Sequence, residues 1–373
     1  MAGRLLFVCG VNAGGAYRST LELVGAMRKR GYDIEFIATD IYLPRRARLA
    51  HRLLNLETHL KVTPMDRPIR WFRHRIGRKP RWTESEFGPV GLTATPESAV
   101  VALGLERGFD AAVITTMPRS AWREIKFWAA EHAIPSMLYL RGVDDLLQLD
   151  HPDGVADMTV ANTKSVAATA NERGVPTRFI PSPVDLAPTR TSSSRCTALF
   201  ISPTESRGLG VALALAEARP DVAFVFQTAW DVGASAWSDL HRRTNHLPNV
   251  EIRQSAATPS EIYADAKVLL TPHQIDNRPR VILEAQSNSI PVLSSDQPGL
   301  RDQMGDGGLL VAPDAPIDDW VAAFSSLWDD QGEYDRRCKA ALEWSQRTDQ
   351  DPQHIVDSFE AAVADLIAGA ARA

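Results

Sequence analysis

Apolar residues in this chain come in short runs, separated by stretches in which they recur every three or four positions. Leu5-Leu6-Phe7-Val8-Cys9 is followed by a small-residue loop, Gly10 to Gly15, and then by Leu21, Val24 and Met27 at helical spacing up to Gly31. That order predicts strand, loop, helix. Asp33–Ala38 predicts the next strand, and residues 111–115, 137–140, 158–161 and 177–180 predict four more, with helix-like stretches between them. Such alternation specifies a parallel sheet covered by helices. A second series predicts strands near 198–201, 222–227, 250–253, 267–270, 291–294 and 309–311.

The two series are separated by Leu-Ala-Pro-Thr-Arg-Thr-Ser-Ser-Ser-Arg, a Ser/Thr/Pro-rich stretch without periodicity. The expected organisation is an N-terminal domain over 1–186, a linker over 187–196 and a C-terminal domain over 197–350. A final helix over 351–373 is expected to cross back to the N-terminal domain. A length of 373 residues suits two α/β domains. Ligands of doubly wound sheets bind beyond the carboxyl ends of the strands, so the loops that follow strands are where chemistry is expected.

A composition of 44% hydrophobic and 23% charged residues is that of a globular protein. The first apolar run is too short for the core of a signal peptide or for a membrane helix. Cys9, Cys196 and Cys338 lack the spacing of a disulfide framework or zinc site. A reducing cytoplasm is the expected location. The net charge of −5 argues against nucleic acid as a partner, yet residues 41–83 hold twelve Lys/Arg against Glu57 and Asp66, a local charge of +10. With Trp71, Phe72 and Trp82 among them, these residues have the mix that suits an anionic membrane or an acidic acceptor. An ordinary solvated loop is the competing reading.

The most informative stretch is Thr271-Pro-His-Gln-Ile-Asp-Asn-Arg-Pro-Arg-Val-Ile-Leu-Glu, followed by Ile290-Pro-Val-Leu-Ser-Ser-Asp and Gly299-Leu. A helix starting near Pro279 would offer unpaired backbone N–H groups to a diphosphate, and a carboxylate one turn inside it can accept from ribose hydroxyls. Upstream, Phe200-Ile-Ser-Pro-Thr-Glu-Ser-Arg-Gly-Leu-Gly puts a cation, Arg207, at a helix start, which is electrostatically disfavoured unless an anion is present. A third stretch is Val160-Ala-Asn-Thr-Lys-Ser-Val-Ala with Ile180-Pro-Ser-Pro-Val-Asp.

In this order the three stretches resemble the family four group of retaining glycosyltransferases, which have the GT-B fold. The resemblance implies two Rossmann-like domains facing a central cleft and transfer from a nucleotide-diphosphate-sugar, with no cofactor and no metal. The acceptor would be a small or lipid-linked molecule. Asp276 and Glu284 have the eight-residue spacing of the family's acidic pair, which implies that Glu284 holds the ribose and Asp276 the transferred sugar. Arg207 stands where the family has the Lys of a Lys-Gly pair, a cation for the departing phosphate, and Arg280 and His273 line the same donor site.

Three positions depart from the family pattern: Pro203 replaces an Arg, Asp276 a Glu and Pro279 a Gly. Where many members carry a His in the N-terminal domain, this chain has Arg141 and Asp144, read here as a catalytic and an acceptor-side residue. Gly14 and Gly15 do not have the dinucleotide fingerprint spacing; they are expected to let the backbone approach the donor, with Arg18 on the acceptor. The alternatives are a pseudo-glycosyltransferase or coupling protein of the same fold, a sugar-nucleotide epimerase, and a purely structural binding protein.

Overall fold

A computed structural model describes residues 3–11, 13–40, 80–104, 108–150, 155–229, 233–254, 256 and 258–371. The basic segment therefore lies, for residues 41–79, outside the described residues. The chain divides into two compact units, the first made of residues 1–183 and 355–373, the second of residues 184–354.

In unit 1 the elements run β1 (Arg4–Cys9), α1 (Gly14–Lys29), β2 (Asp33–Thr39), β3 (Arg81–Ser85), β4 (Gly88–Thr93), α2 (Pro96–Gly104), β5 (Ala111–Thr115), α3 (Arg119–Glu131), β6 (Ser136–Leu140), a 3-10 turn (Val143–Leu149), β7 (Met158–Ala161), α4 (Lys164–Glu172) and β8 (Thr177–Phe179). The eight strands form one sheet in the order β3-β4-β2-β1-β5-β6-β7-β8. All neighbours are parallel except the β3–β4 hairpin. The hairpin was not expected, because Arg-Trp-Thr-Glu-Ser carries no apolar run and its residues are largely exposed at the sheet edge. Trp82 on it is 43% exposed.

Strand β1 is apolar on both faces because both are covered, as in other parallel sheets. Leu6 and Val8 enter the core that also holds Trp122, Ile125 and Trp128 of α3. Leu5, Phe7 and Cys9 enter the opposite one, with Leu23, Val24 and Met27 of α1. That second core also takes Ile355, Val356, Phe359, Val363 and Leu366. Phe359 sits 6.1 Å from the Phe7 ring and 5.7 Å from the Tyr139 ring. Burial of side chains this size stabilises by about 1.5–3 kcal/mol each.

In unit 2 come β9 (Thr197–Ile201), α5 (Leu209–Ala218), β10 (Ala223–Gln227), α6 (Gly233–Thr244), β11 (Val250–Arg253), α7 (Pro259–Tyr263), β12 (Ala266–Thr271), α8 (Arg280–Ser287), β13 (Val292–Ser295), α9 (Pro298–Met304), β14 (Gly308–Val311), α10 (Ile317–Asp329) and α11 (Gln331–Ser345), and then α12 (Pro352–Ala370), which leads back into unit 1. The six strands are all parallel, in the order β11-β10-β9-β12-β13-β14.

Residues 187–196, read from composition as a linker, are tied onto unit 2. Ser194 N donates to Ala264 O at 2.8 Å and Cys196 N to Asp265 O at 2.9 Å. Thr191 N donates to Asn288 Oδ1 at 2.8 Å, and Arg195 to the carbonyls of Asn288 and Ser289 at 2.6 and 2.9 Å. Small polar side chains without periodicity carry no sign of partners distant in sequence, and so the stretch reads as a linker.

Candidate functional site

The strand order of unit 2 reverses between β9 and β12, and at such a switch point the loops after the two strands leave in opposite directions and open a crevice. The loop after β9 ends at Gly208, whose φ is +82°. A Cβ there would lie 1.9 Å from the carbonyl oxygen of Pro272, in the loop after β12, so only glycine fits this close approach. Gln274 N donates to Ser206 O at 3.0 Å, which joins the two loops directly.

Arg207 therefore lies beside His273, its Nη1 at 3.5 Å from Nδ1 and 3.4 Å from Nε2. Burial lowers the pKa of Arg207, and no carboxylate among the described residues lies within ion-pair distance of it. A partly buried guanidinium held without an anion is an incomplete electrostatic arrangement.

His273 is 2% exposed. Its Nδ1 lies 3.1 Å from Asn277 Oδ1, and Ser295 Oγ donates to its carbonyl at 2.7 Å. Burial, and secondarily the Arg207 charge, push its pKa down to about 3, against the Asn277 hydrogen bond, which raises it. The ring is therefore neutral at physiological pH. With the proton on Nδ1 the ring donates to the Asn277 oxygen, and Arg207 Nη1 lies almost equally far from the two ring nitrogens.

A stability prediction follows from this burial. The unfolded chain binds a proton at His273 near pH 6.5 and the folded one only near 3, so the unfolded state is favoured as pH falls through that window. The loss approaches about 1.4 kcal/mol per pH unit. Denaturant unfolding between pH 6.5 and 4 should be less pH-sensitive for His273→Gln than for the parent. Equal slopes would mean that the folded ring accepts protons as readily as the unfolded one.

Helix α8 begins after Pro279 with no capping side chain. On its second turn Glu284 is 7% exposed and fully engaged. Its Oε1 accepts from Arg280 Nε and its Oε2 from the Tyr263 hydroxyl, both at 2.5 Å. Asp276, expected on the transferred sugar, uses Oδ1 to accept the Gly299 N–H at 2.7 Å, in the first turn of α9. The shortened acid reaches this backbone donor because Gly299 lacks a Cβ, which would lie 2.8 Å from Asp276 Oδ1. Arg207, His273, Asp276, Arg280 and Glu284 thus all stand on β9–α5 and β12–α8 of unit 2, on two loops joined to each other and, through Asp276, to α9. Sequence reading missed Tyr263, 21 residues before its partner, and Asn277 and Ser295, whose small polar side chains fit many roles.

Gly14, Gly15, Arg18, Arg141 and Asp144 belong to unit 1. Its strand order reverses between β1 and β5, and a Cβ on Gly10 would lie 1.9 Å from Thr116 O in the loop after β5. Gly14, with φ +79°, and Gly15 open α1, whose first turn has no acidic residue and no capping side chain. Arg18, expected to meet an acceptor's anion, is already paired with Glu22 at 2.9 Å and with Glu86, and lies over the Phe87 ring at 4.9 Å. Its charge is thus met within unit 1, by a hairpin the sequence did not disclose.

Arg141 is 8% exposed and bound to three hydroxyls: Thr115 at 3.1 Å, Thr20 at 2.8 Å and Ser182. It lies 3.9 Å from the Tyr139 ring, and together these contacts tie β5, β6 and α1. Asp144 is exposed. The acid directed at Arg141 is its neighbour Asp145, whose Oδ2 accepts the Arg141 backbone N–H at 2.5 Å and whose carboxyl is raised above its ordinary pKa chiefly by burial. Among the described residues no group of three or more His, Cys, Asp or Glu is arranged to hold a metal ion, and no helix is long and apolar enough to cross a membrane.

Residues 196–330 match the family model described as "Glycosyl transferases group 1". No curated protein matched the chain. Among solved structures, HepE of Anabaena in complex with UDP-glucose is similar, with a TM-score of 0.70 at 14% identity over 98% of this chain and 100% of that one. Sucrose-phosphate synthase of Thermosynechococcus elongatus has a TM-score of 0.72 at 14% identity, covering 98% and 100%. The catalytic domain of starch synthase IV of Arabidopsis thaliana, bound to ADP and acarbose, has a TM-score of 0.64 at 10% identity, covering 98% and 99%. At these identities the likeness is one of fold, that of the GT-B glycosyltransferases, and together with the group 1 match over residues 196–330 it indicates a glycosyltransferase.

Proposed function

We propose that this protein transfers a sugar, with retention, from a nucleotide-diphosphate donor bound by unit 2 to a small or lipid-linked acceptor. The observation that carries this reading is Arg207, a partly buried cation at the switch point with no carboxylate partner among the described residues. A donor diphosphate supplies the missing anion, and the guanidinium then stabilises the charge that grows on the leaving phosphate. Neutral His273 supports this role by leaving the local charge to Arg207. The same cation supplies the positive charge for which other transferases use a metal, so none is included. Glu284 and Arg280 on α8 face the ribose side in this reading, and HepE with UDP-glucose is a precedent for such a donor on this fold. Asp276 fixes α9 against the donor loop through Oδ1 and, in this reading, faces the hydroxyls of the transferred sugar with its remaining acceptor capacity.

Thermal unfolding in the presence of UDP, GDP, ADP or TDP tests the donor reading. One of the four should raise the midpoint, since a ligand at a hundredfold its Kd adds about 2.7 kcal/mol. No shift with any of them at millimolar concentration would overturn it. Release of the nucleoside diphosphate from the sugar donor, only when an acceptor is present, separates transfer from binding alone.

A further inference from the structure

Tyr263 ends the short helix α7 and precedes β12, at the opposite end of that strand from the donor loop. Its side chain is 0% exposed, and its hydroxyl makes a 2.5 Å bond to Glu284 Oε2 inside the protein. A buried phenol needs one acceptor, and a backbone carbonyl would serve. Here the acceptor is a carboxylate that also takes Arg280 Nε at 2.5 Å through its other oxygen. Two short charge-assisted bonds, one to each oxygen, stop rotation of the carboxylate about its last torsion, and each oxygen keeps a lone pair for a further donor.

We infer that Tyr263 is a positioning residue that, with Arg280, locks the Glu284 carboxylate in the orientation that receives the two vicinal hydroxyls of the donor ribose. The inference rests on the donor reading above. Burial and the neighbouring carboxylate hold the phenol well above its ordinary pKa, so Tyr263 stays a donor throughout the working range. The consequence concerns selectivity: Tyr263 acts on recognition of the ribose diol and leaves recognition of the diphosphate alone. Without the hydroxyl the carboxylate can turn, and affinity is lost only for nucleotides that have the diol.

Calorimetry of the parent and of Tyr263→Phe tests this, using whichever of UDP, GDP or ADP gives the largest thermal shift and its 2′,3′-dideoxy counterpart. The parent should prefer the ribonucleotide, and Tyr263→Phe should bind it about tenfold more weakly, equivalent to about 1.4 kcal/mol. Binding of the dideoxy form should not change. In a Glu284→Ala background, where no side chain at 284 is left to position, the same tyrosine change should have no further effect on nucleotide binding, as expected of a residue that acts through the carboxylate. Equal losses for both nucleotides, no loss for either, or a full additional loss in the Glu284→Ala background would each overturn the role of Tyr263 while leaving the donor reading intact. A parent that does not distinguish the two nucleotides, or binds none, would remove the ribose contact itself and this inference with it.

Discussion

Replacement of Arg207 by alanine should lower the maximal rate of sugar transfer by about two to three orders of magnitude, the usual cost of removing a donor to charge that develops in the transition state. The side chain is held by position: Gly208, the only residue type that fits against Pro272 O, turns the chain, and the ring of His273 lies against the guanidinium at 3.4–3.5 Å. Because the leaving phosphate gains charge as the sugar departs, the effect should fall mainly on kcat, with a smaller effect on donor KM. Steady-state kinetics at saturating acceptor would measure both. Normal turnover in a folded Arg207→Ala protein would mean that another cation neutralises the phosphate. Arg207→Lys should recover part of the rate, since the charge is kept and the planar fork is lost.

The second large effect is expected at Glu284. Glu284→Ala should weaken nucleotide binding by about 1.5–3 kcal/mol, the range for hydrogen bonds to a charged group. It also leaves the Tyr263 hydroxyl and Arg280 Nε without their shared acceptor. Stability must therefore be measured beside affinity, because an unsatisfied buried phenol carries its own cost of about 1–3 kcal/mol. Glu284→Gln, which keeps an acceptor for Tyr263, separates the two effects: calorimetry should find weaker nucleotide binding with a nearly unchanged unfolding midpoint. Unchanged affinity in that variant would remove Glu284 from the ribose.

Much of the architecture was legible without coordinates. The runs at residues 5–9, 111–115 and 198–201 are strands because apolar residues on both faces of a short extended segment have one stable use, the middle of a covered parallel sheet. The position of α8 after Pro279 and the eight-residue spacing of Asp276 and Glu284 were readable because they depend on neighbours a few residues away. Sequence by itself thus determined the two wound series and the identities of the charged residues in the loops after their strands.

Only the tertiary structure decided what those charges face. Arg18 and Arg207 look alike in sequence, each a cation near a helix start that follows a glycine-containing loop. Glu86, from a hairpin far along the chain, answers the first, and no carboxylate among the described residues answers the second. Asp276 likewise became the acceptor of a backbone N–H 23 residues ahead, and Tyr263 the partner of a glutamate 21 residues on. Strands and helices are written in local periodicity, whereas the partner of a charge is set by which loops the sheet order brings side by side. In unit 2 that is the adjacency of β9 and β12, a pairing across more than sixty residues that no local pattern records.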